Sequence, residues 1–269
     1  MVFSPSSALR FFVKRLNSRS ILSADEQAAI LELTGKTEDL GAHIDFVREG
    51  QKVDHCCLVI NGLVGRFRQN SKGLRQITGI YIPGDMSDLS SMVNSTSAWG
   101  LTSLTSSVIL RLSHADLSAI PRRYPRVAEA FWRDCVVDAS IFSEWIVNVG
   151  RRDALARIAH LFCEMALRSE RAGHGDRCSF PLPITQMDIG DATGLTGIHV
   201  NRILRKLRSQ SIVDLQAGMV TVHDWVQLVR ISDFDDSFML TSDLPYNGSQ
   251  IGAVANNPCG NYIAALGHG

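Results

Sequence analysis

Residues Ile184 to Val213, ITQMDIGDATGLTGIHVNRILRKLRSQSIV, carry the pattern that decides what kind of chain this is. Thr185 with Asp188 three positions on is a helix start, and Ile189 and Ala192 supply a face to bury. Thr193-Gly194-Leu195 turns the chain. Thr196 then caps a second helix, whose inward stripe is Val200, Ile203, Leu204 and Leu207. Two short helices across a glycine-containing turn predict a helix-turn-helix. The outward residues of the second helix are His199, Asn201, Arg202, Arg205, Lys206 and Arg208, and no acidic residue lies between Gly197 and Arg208. A DNA major groove about 12 Å wide admits one helix; arginine can take guanine O6 and N7 together, and asparagine adenine N6 and N7. Asn201, Arg202, His199 and Arg205 are therefore candidate base readers, while Thr185, Gln186, Thr196, Lys206 and Arg208 are candidate phosphate contacts. Downstream, Ile212 to Leu215 and Met219 to His223 flank Gln216-Ala217-Gly218 and predict a hairpin, the wing of a winged helix.

Working upstream, Leu155, Ile158, Phe162 and Met165 form one more helical stripe, and the Gly- and Pro-containing stretch from Ala172 to Pro183 reads as a loop. Before Gly150, a candidate hinge, the apolar positions Trp132, Cys135, Ala139, Phe142, Ile146 and Val149 alternate at spacings of three and four, which is a heptad seam. Val137, Ile141 and Trp145 make a second stripe, so this helix needs two neighbours. The seam predicts pairing with a second copy; the simpler alternative is one core helix in a monomer.

From His43 to Ser113 the pattern changes to short strands: His43 to Arg48, Val53 to Ile60, Leu63 to Gln69, Leu74 to Ile82, Ala98 to Leu104 and Val108 to Ser113. Turn residues such as Asn61-Gly62 and Pro83-Gly84-Asp85 separate them, and no helix intervenes. That predicts an antiparallel barrel or sandwich. Ser23 with Glu26 is a capping box opening a short helix through Leu33.

In this order the parts resemble the Crp/Fnr superfamily of transcription regulators over residues 20 to 230. Its sharpest pieces are Ile184-Thr185, Asp188-Ile189-Gly190, Gly194-Leu195-Thr196 and Val200-Asn201-Arg202-Ile203-Leu204, and the His199-Val200-Asn201-Arg202 run is similar to that of one proteobacterial branch. The resemblance implies an α+β chain. An N-terminal antiparallel β-roll sensor, like a cyclic-nucleotide-binding jelly roll, would span 1–120 with its short N-terminal helix, followed by a dimerisation helix over 121–150. A winged helix-turn-helix would cover 151–230; outside the resemblance, Asp233, Asp235, Asp236 and Asp243 predict an acidic, flexible tail over 231–269. It further implies a cytoplasmic homodimer on palindromic double-stranded DNA, with RNA polymerase as a candidate partner and no membrane contact. Arg202 would contact guanine, and Ile198 would join the base readers at a position where relatives often carry glutamate. The family's effector pocket maps onto Gly84, Asp85, Thr96 and Ser97, yet Thr96 stands where an arginine would hold a cyclic phosphate. No Lys or Arg lies between Arg75 and Arg111. Without a guanidinium a buried phosphate loses its charge-assisted partner, so cyclic AMP is not expected and no cofactor is assigned. The rival from another class is a ligand-binding or interaction module whose helix-turn-helix only packs.

Composition agrees with a globular protein: of 269 residues 45% are hydrophobic and 20% charged. Lys plus Arg number 27 and Asp plus Glu 27. This neutrality hides a split, since residues 151–230 carry 11 basic and 8 acidic side chains whereas 231–269 carry 4 acidic and no basic ones. Six scattered cysteines without a C-x-x-C pair suggest reduced thiols in a cytosol. The absence of cysteine before Cys56 disfavours an iron-sulfur sensor, and His43, His55 and His114 read as structural rather than haem ligands. Gly35-Lys36-Thr37 lacks the rest of a phosphate loop, and no hydrolase or dinucleotide motif is present, so no enzyme is expected.

Overall fold

The computed structural model describes residues 4–239 and 258–259. Two units divide the described chain, with the boundary at Phe142 and Ser143. The first opens with α1 (Pro5–Asn17), capped by Ser4, whose hydroxyl accepts from Ser7 N at 3.2 Å. Ala8, Leu9, Phe12, Val13 and Leu16 bury one face of α1 in the core. α2 (Ala24–Leu31) has the expected capping box, with Ser23 N donating to Glu26 Oε2 at 2.7 Å.

The roll consists of β1 (Lys36–Leu40), β2 (Asp45–Val47), β3 (His55–Asn61), β4 (Val64–Gln69), β5 (Arg75–Tyr81), β6 (Gly100–Ser103) and β7 (Ser107–Ser113). It forms two antiparallel sheets, ordered β2-β6-β4-β5 and β1-β7-β3. The antiparallel expectation holds, with β1 added by pairing Lys36 to Leu40 against β7. Adjacent Cys56 and Cys57 point to opposite faces of β3, as a strand requires, and each enters a different apolar cluster.

α3 (His114–Arg123) leads into α4 (Pro125–Arg151). Gly150 does not interrupt α4, which runs through Arg151; a Cβ there would meet nothing within 4 Å. The break falls at Asp153, the N-cap of the next helix. The seam also needs correction. Trp132, Ala139 and Ile146 are exposed, together with Val136 and Val147, but Cys135 and Phe142 are drawn towards the roll. Cys135 packs on the core cluster and the Phe142 ring covers Arg66. Spacing alone could not tell an outward stripe from an inward one.

In the second unit α5 (Ala154–Ala172) buries Ile158, Phe162 and Met165. β8 (Ser179–Pro181), α6 (Gln186–Thr193), α7 (Gly197–Ser209), β9 (Val213–Gln216), β10 (Met219–Val222) and α8 (Trp225–Ser232) follow, with a sheet ordered β8-β10-β9. The stretch read as loop thus supplies a strand, and α8 with a 3-10 turn at Asp236–Met239 occupies the start of the presumed tail. Most of that tail lies outside the described residues. Cys178 and Cys259 form a disulfide, which corrects the expectation of six reduced thiols. Their separation of 81 residues gives no local spacing by which to recognise a pair.

Candidate nucleic-acid interface

Local bonds build the helix-turn-helix. Thr185 N and Oγ1 donate to Asp188 Oδ2 at 2.8 and 2.7 Å, and Asp188 N returns a bond to Thr185 Oγ1 at 3.1 Å. Such a box contributes about 1 kcal/mol to the helix it opens. Gly194 ends α6 at φ 68°, the left-handed region that favours glycine. Gly190 lets the turn close on α6, since a Cβ there would stand 2.5 Å from Leu195 O. Thr196 Oγ1 then caps α7 by accepting from His199 N at 3.3 Å. Val200, Ile203 and Leu207 are buried and Leu204 is half-buried, as the inward stripe requires.

On the outer side Arg202, Arg205, Lys206 and Arg208 are exposed, His199 and Asn201 are half-buried, and Ile198 is 86% exposed. Asn201 Nδ2 donates to Gln186 Oε1 at 3.1 Å, which joins the start of α6 to the exposed face of α7. Arg202 Nη2 lies 2.7 Å from His199 Nε2, a bond that needs that nitrogen unprotonated. The guanidinium is thus tied to His199 on an exposed side chain.

Two expected phosphate contacts are committed elsewhere. Arg208 Nε donates to Asp214 Oδ1 of the wing at 2.7 Å, which neutralises its charge locally. The hydroxyl and amide protons of Thr185 both go to Asp188. Gln186, Thr196 and Lys206 stay exposed. The wing turns at Ala217 (φ 48°) and Gly218 (φ 78°), and Met219 pairs with Gln216. Positive φ at both central residues is the two-residue hairpin geometry that matches strand twist. No Lys or Arg lies between Val213 and Val222, so Gln216 and backbone amides are what the wing can offer a phosphate.

In the first unit, two of the four expected effector-pocket residues have engaged side chains. Asp85 Oδ2 accepts from Ile82 N at 3.0 Å, and the carboxylate is paired with Arg15 of α1. Ser97 Oγ donates to Trp99 O at 2.7 Å, while Thr96 is exposed. A buried arginine is carried by β4. Arg66, 3% exposed, has its Cζ 3.2 Å from the Phe142 ring centre and 4.9 Å from that of Trp99. Its Nη1 is 3.6 Å from Asp138, and Tyr81 OH donates to the same carboxylate at 3.0 Å. Among the described residues Arg66 Nε, Trp99 Nε1 and Thr102 Oγ1 have no hydrogen-bond partner. The donors of Arg66 and Trp99 lie together on one face of the sheet, whereas Thr102, paired with Gly65, belongs to the other. Loop-centred sequence reasoning missed Arg66 because the residue precedes the loop on a different strand; an arginine between Gly65 and Phe67 was the available signal.

The histidines considered as ligands are engaged as well. His114 Nε2 meets Ser91 Oγ at 2.8 Å, and His55 Nδ1 meets Asp54 Oδ1 at 2.8 Å. Among the described residues no group of three His, Cys, Asp or Glu is arranged to hold a metal, and no helix is long and apolar enough to cross a membrane.

Comparison with known proteins agrees with this geometry. Residues 40–124 match the cyclic nucleotide-binding domain family, and residues 156–231 match the Crp-like helix-turn-helix domain family. The transcriptional activator protein FnrL of Cereibacter sphaeroides is 24% identical over 217 residues, covering 79% of this chain and 86% of its own. The nitrogen fixation regulation protein FixK of Rhizobium meliloti is 25% identical, covering 64% and 75% respectively. Among solved structures, that of FixK2 from Bradyrhizobium japonicum superposes with a TM-score of 0.68 at 22% identity, covering 76% of this chain and all of its own. A sensor-type roll followed by a capped, basic helix-turn-helix, matched in both parts and by relatives of one kind, makes this chain a transcription regulator of the Crp/Fnr type.

Proposed function

We propose that the chain acts as a homodimer on palindromic operators, with α7 in the major groove of each half-site. The observation that carries this reading is the outer face of α7, where Arg202, Asn201, His199, Arg205 and Lys206 are presented from a helix with no acidic residue. Arg202 suits guanine, Asn201 suits adenine, and Gln186, Thr196 and Lys206 position the helix on phosphates. A second copy is invoked because α4 exposes Trp132 (66%), Ile146 (73%), Val136 and Val147. Apolar side chains at this spacing on a helix of roughly 40 Å fit a coiled-coil partner. Pairing along α4 would set two copies of α7 about 34 Å apart, one helical turn of DNA.

The test is binding to an operator selected from random DNA. Arg202→Ala should lose about 1 to 3 kcal/mol at one base pair per half-site while its affinity for random DNA barely changes. Equal affinity of wild type and variant for the selected site would refute the assignment. For the roll, the reading is that cyclic AMP is not the effector, because Arg15 occupies Asp85 and Arg66 is enclosed by rings. Calorimetric titration with cyclic AMP should show no heat of binding; saturable binding would overturn this.

A further inference from the structure

Among the described residues of α6 and α7, two large apolar side chains face solvent, Ile198 at 86% and Met187 at 72% exposure. Neither belongs to the inward stripe. Met187 lies in the first turn of α6. Ile198 precedes Asn201 by three positions and Arg202 by four, and residues so spaced share one side of a helix. Every other outward group there, His199, Asn201, Arg202, Arg205 and Lys206, carries a hydrogen-bond donor. Ile198 carries none, and it cannot accept a proton from cytosine N4 as a carboxylate would.

Base edges in the major groove offer one apolar group, the C5 methyl of thymine. We propose that Ile198 reads a thymine methyl in each half-site, next to the base pair taken by Arg202. The inference rests on the reading that α7 enters the major groove. An exposed isoleucine there gains nothing from water or phosphate, whereas covering a methyl removes apolar surface from both partners. Specificity at that step is then set by one methyl group, and uracil, identical in pairing, is distinguished from thymine.

The experiment measures fluorescence anisotropy of the full chain on its selected operator and on operators carrying deoxyuridine at one symmetric pair of thymine positions at a time. At one such pair the wild type should weaken about threefold to fivefold per half-site, the effect of one buried methyl. Ile198→Ala should bind the thymine operator more weakly by a similar factor and be indifferent to deoxyuridine at that pair. Arg202→Ala should bind more weakly overall yet still prefer thymine there. Because Ile198 is exposed, its replacement does not threaten folding. If no position is sensitive, or if Ile198→Ala remains as sensitive as wild type, the methyl assignment is wrong even with specific, Arg202-dependent binding intact. If wild type does not distinguish the selected operator from random DNA and Arg202→Ala changes nothing, the groove reading itself falls and this inference with it.

Discussion

Replacing Arg15 with methionine tests how the N-terminal helix is held to the sensor unit. The Arg15 guanidinium donates from Nε to Asp134 at 2.7 Å, reaches Asp138 at 3.3 Å and pairs with Asp85. Asp134 is also paired with Arg19, and Asp138 lies near Arg66. Three arginines thus face three carboxylates, and Asp85 and Asp134 are buried. Burial works against the charge on Arg15, but Asp134, Asp85 and Asp138 more than offset it and hold the guanidinium protonated. Burial, aided by the charge of Arg15, brings Arg19 down to about 10. Removing one partner from a buried pair costs about 3 to 5 kcal/mol. The lower end applies here, because Asp134 keeps Arg19, Asp138 keeps Tyr81, and Asp85 keeps Ile82 N. A loss of about 3 kcal/mol corresponds to roughly 6 to 12 °C in Tm for a unit of this size. Urea unfolding of the full chain at pH 7 measures it. Adding Asp85→Asn restores the balance of two cations and two anions, so the double variant should recover about 1 to 2 kcal/mol relative to the sum of the single changes. A cost below about 1 kcal/mol for Arg15→Met, or strict additivity with Asp85→Asn, would show that the cluster does not work by charge compensation.

On α4, Trp132→Glu with Ile146→Glu should give a folded monomer in analytical ultracentrifugation that no longer binds the palindrome; a persistent dimer would remove α4 as the interface. In the second unit, an unreduced digest should contain Cys178 linked to Cys259, and Cys178→Ser should lower the stability of oxidised protein by about 2 to 4 kcal/mol with no effect under reductant. Finding only free thiols in oxidised protein would overturn the link. Burial raises the Asp88 carboxyl to about 6 from its ordinary 3.8, against the bond it accepts from Cys57 N at 2.7 Å. Between these values the folded chain holds a proton that the unfolded chain has released. The stabilisation is complete below pH 4 and is lost as pH rises through 6, amounting to about 3 kcal/mol. Asp88→Asn should flatten that slope in urea midpoints taken from pH 4 to 7, and parallel profiles would refute it.

What could be read in advance depended on how far apart the cooperating residues lie. The helix-turn-helix was legible because its devices are local: Thr185 and Asp188 are three residues apart, Gly194 needs only its own φ, and the stripe of α7 repeats within one helix. The roll strands were legible for the same reason, through alternation and turns. α1 escaped notice because its apolar face acquires meaning only from the core it enters. The outward face of α4 was misread at Cys135 and Phe142, since helical spacing is indifferent to which neighbour receives a stripe.

The effector pocket shows why the same limit bears on function. The arginine missing from the loop at Thr96 could be read from sequence, but the arginines buried near that loop could not. Arg15 arrives from a helix 70 residues before Asp85, and Arg66 from a strand whose sequence neighbours are apolar. Asp85 and Asp138 are neutralised by the chain's own arginines, and these pairs link the roll to α4. Ion pairs to Asp134 and Asp138 on α4, and the Phe142 ring over Arg66, anchor the first part of that helix to the roll and α1. If this internal link does the work of an effector, Arg15→Met should weaken operator binding as well as the fold. The loss should exceed what partial unfolding explains, because α4 also carries the exposed stripe through which the proposed dimer would pair.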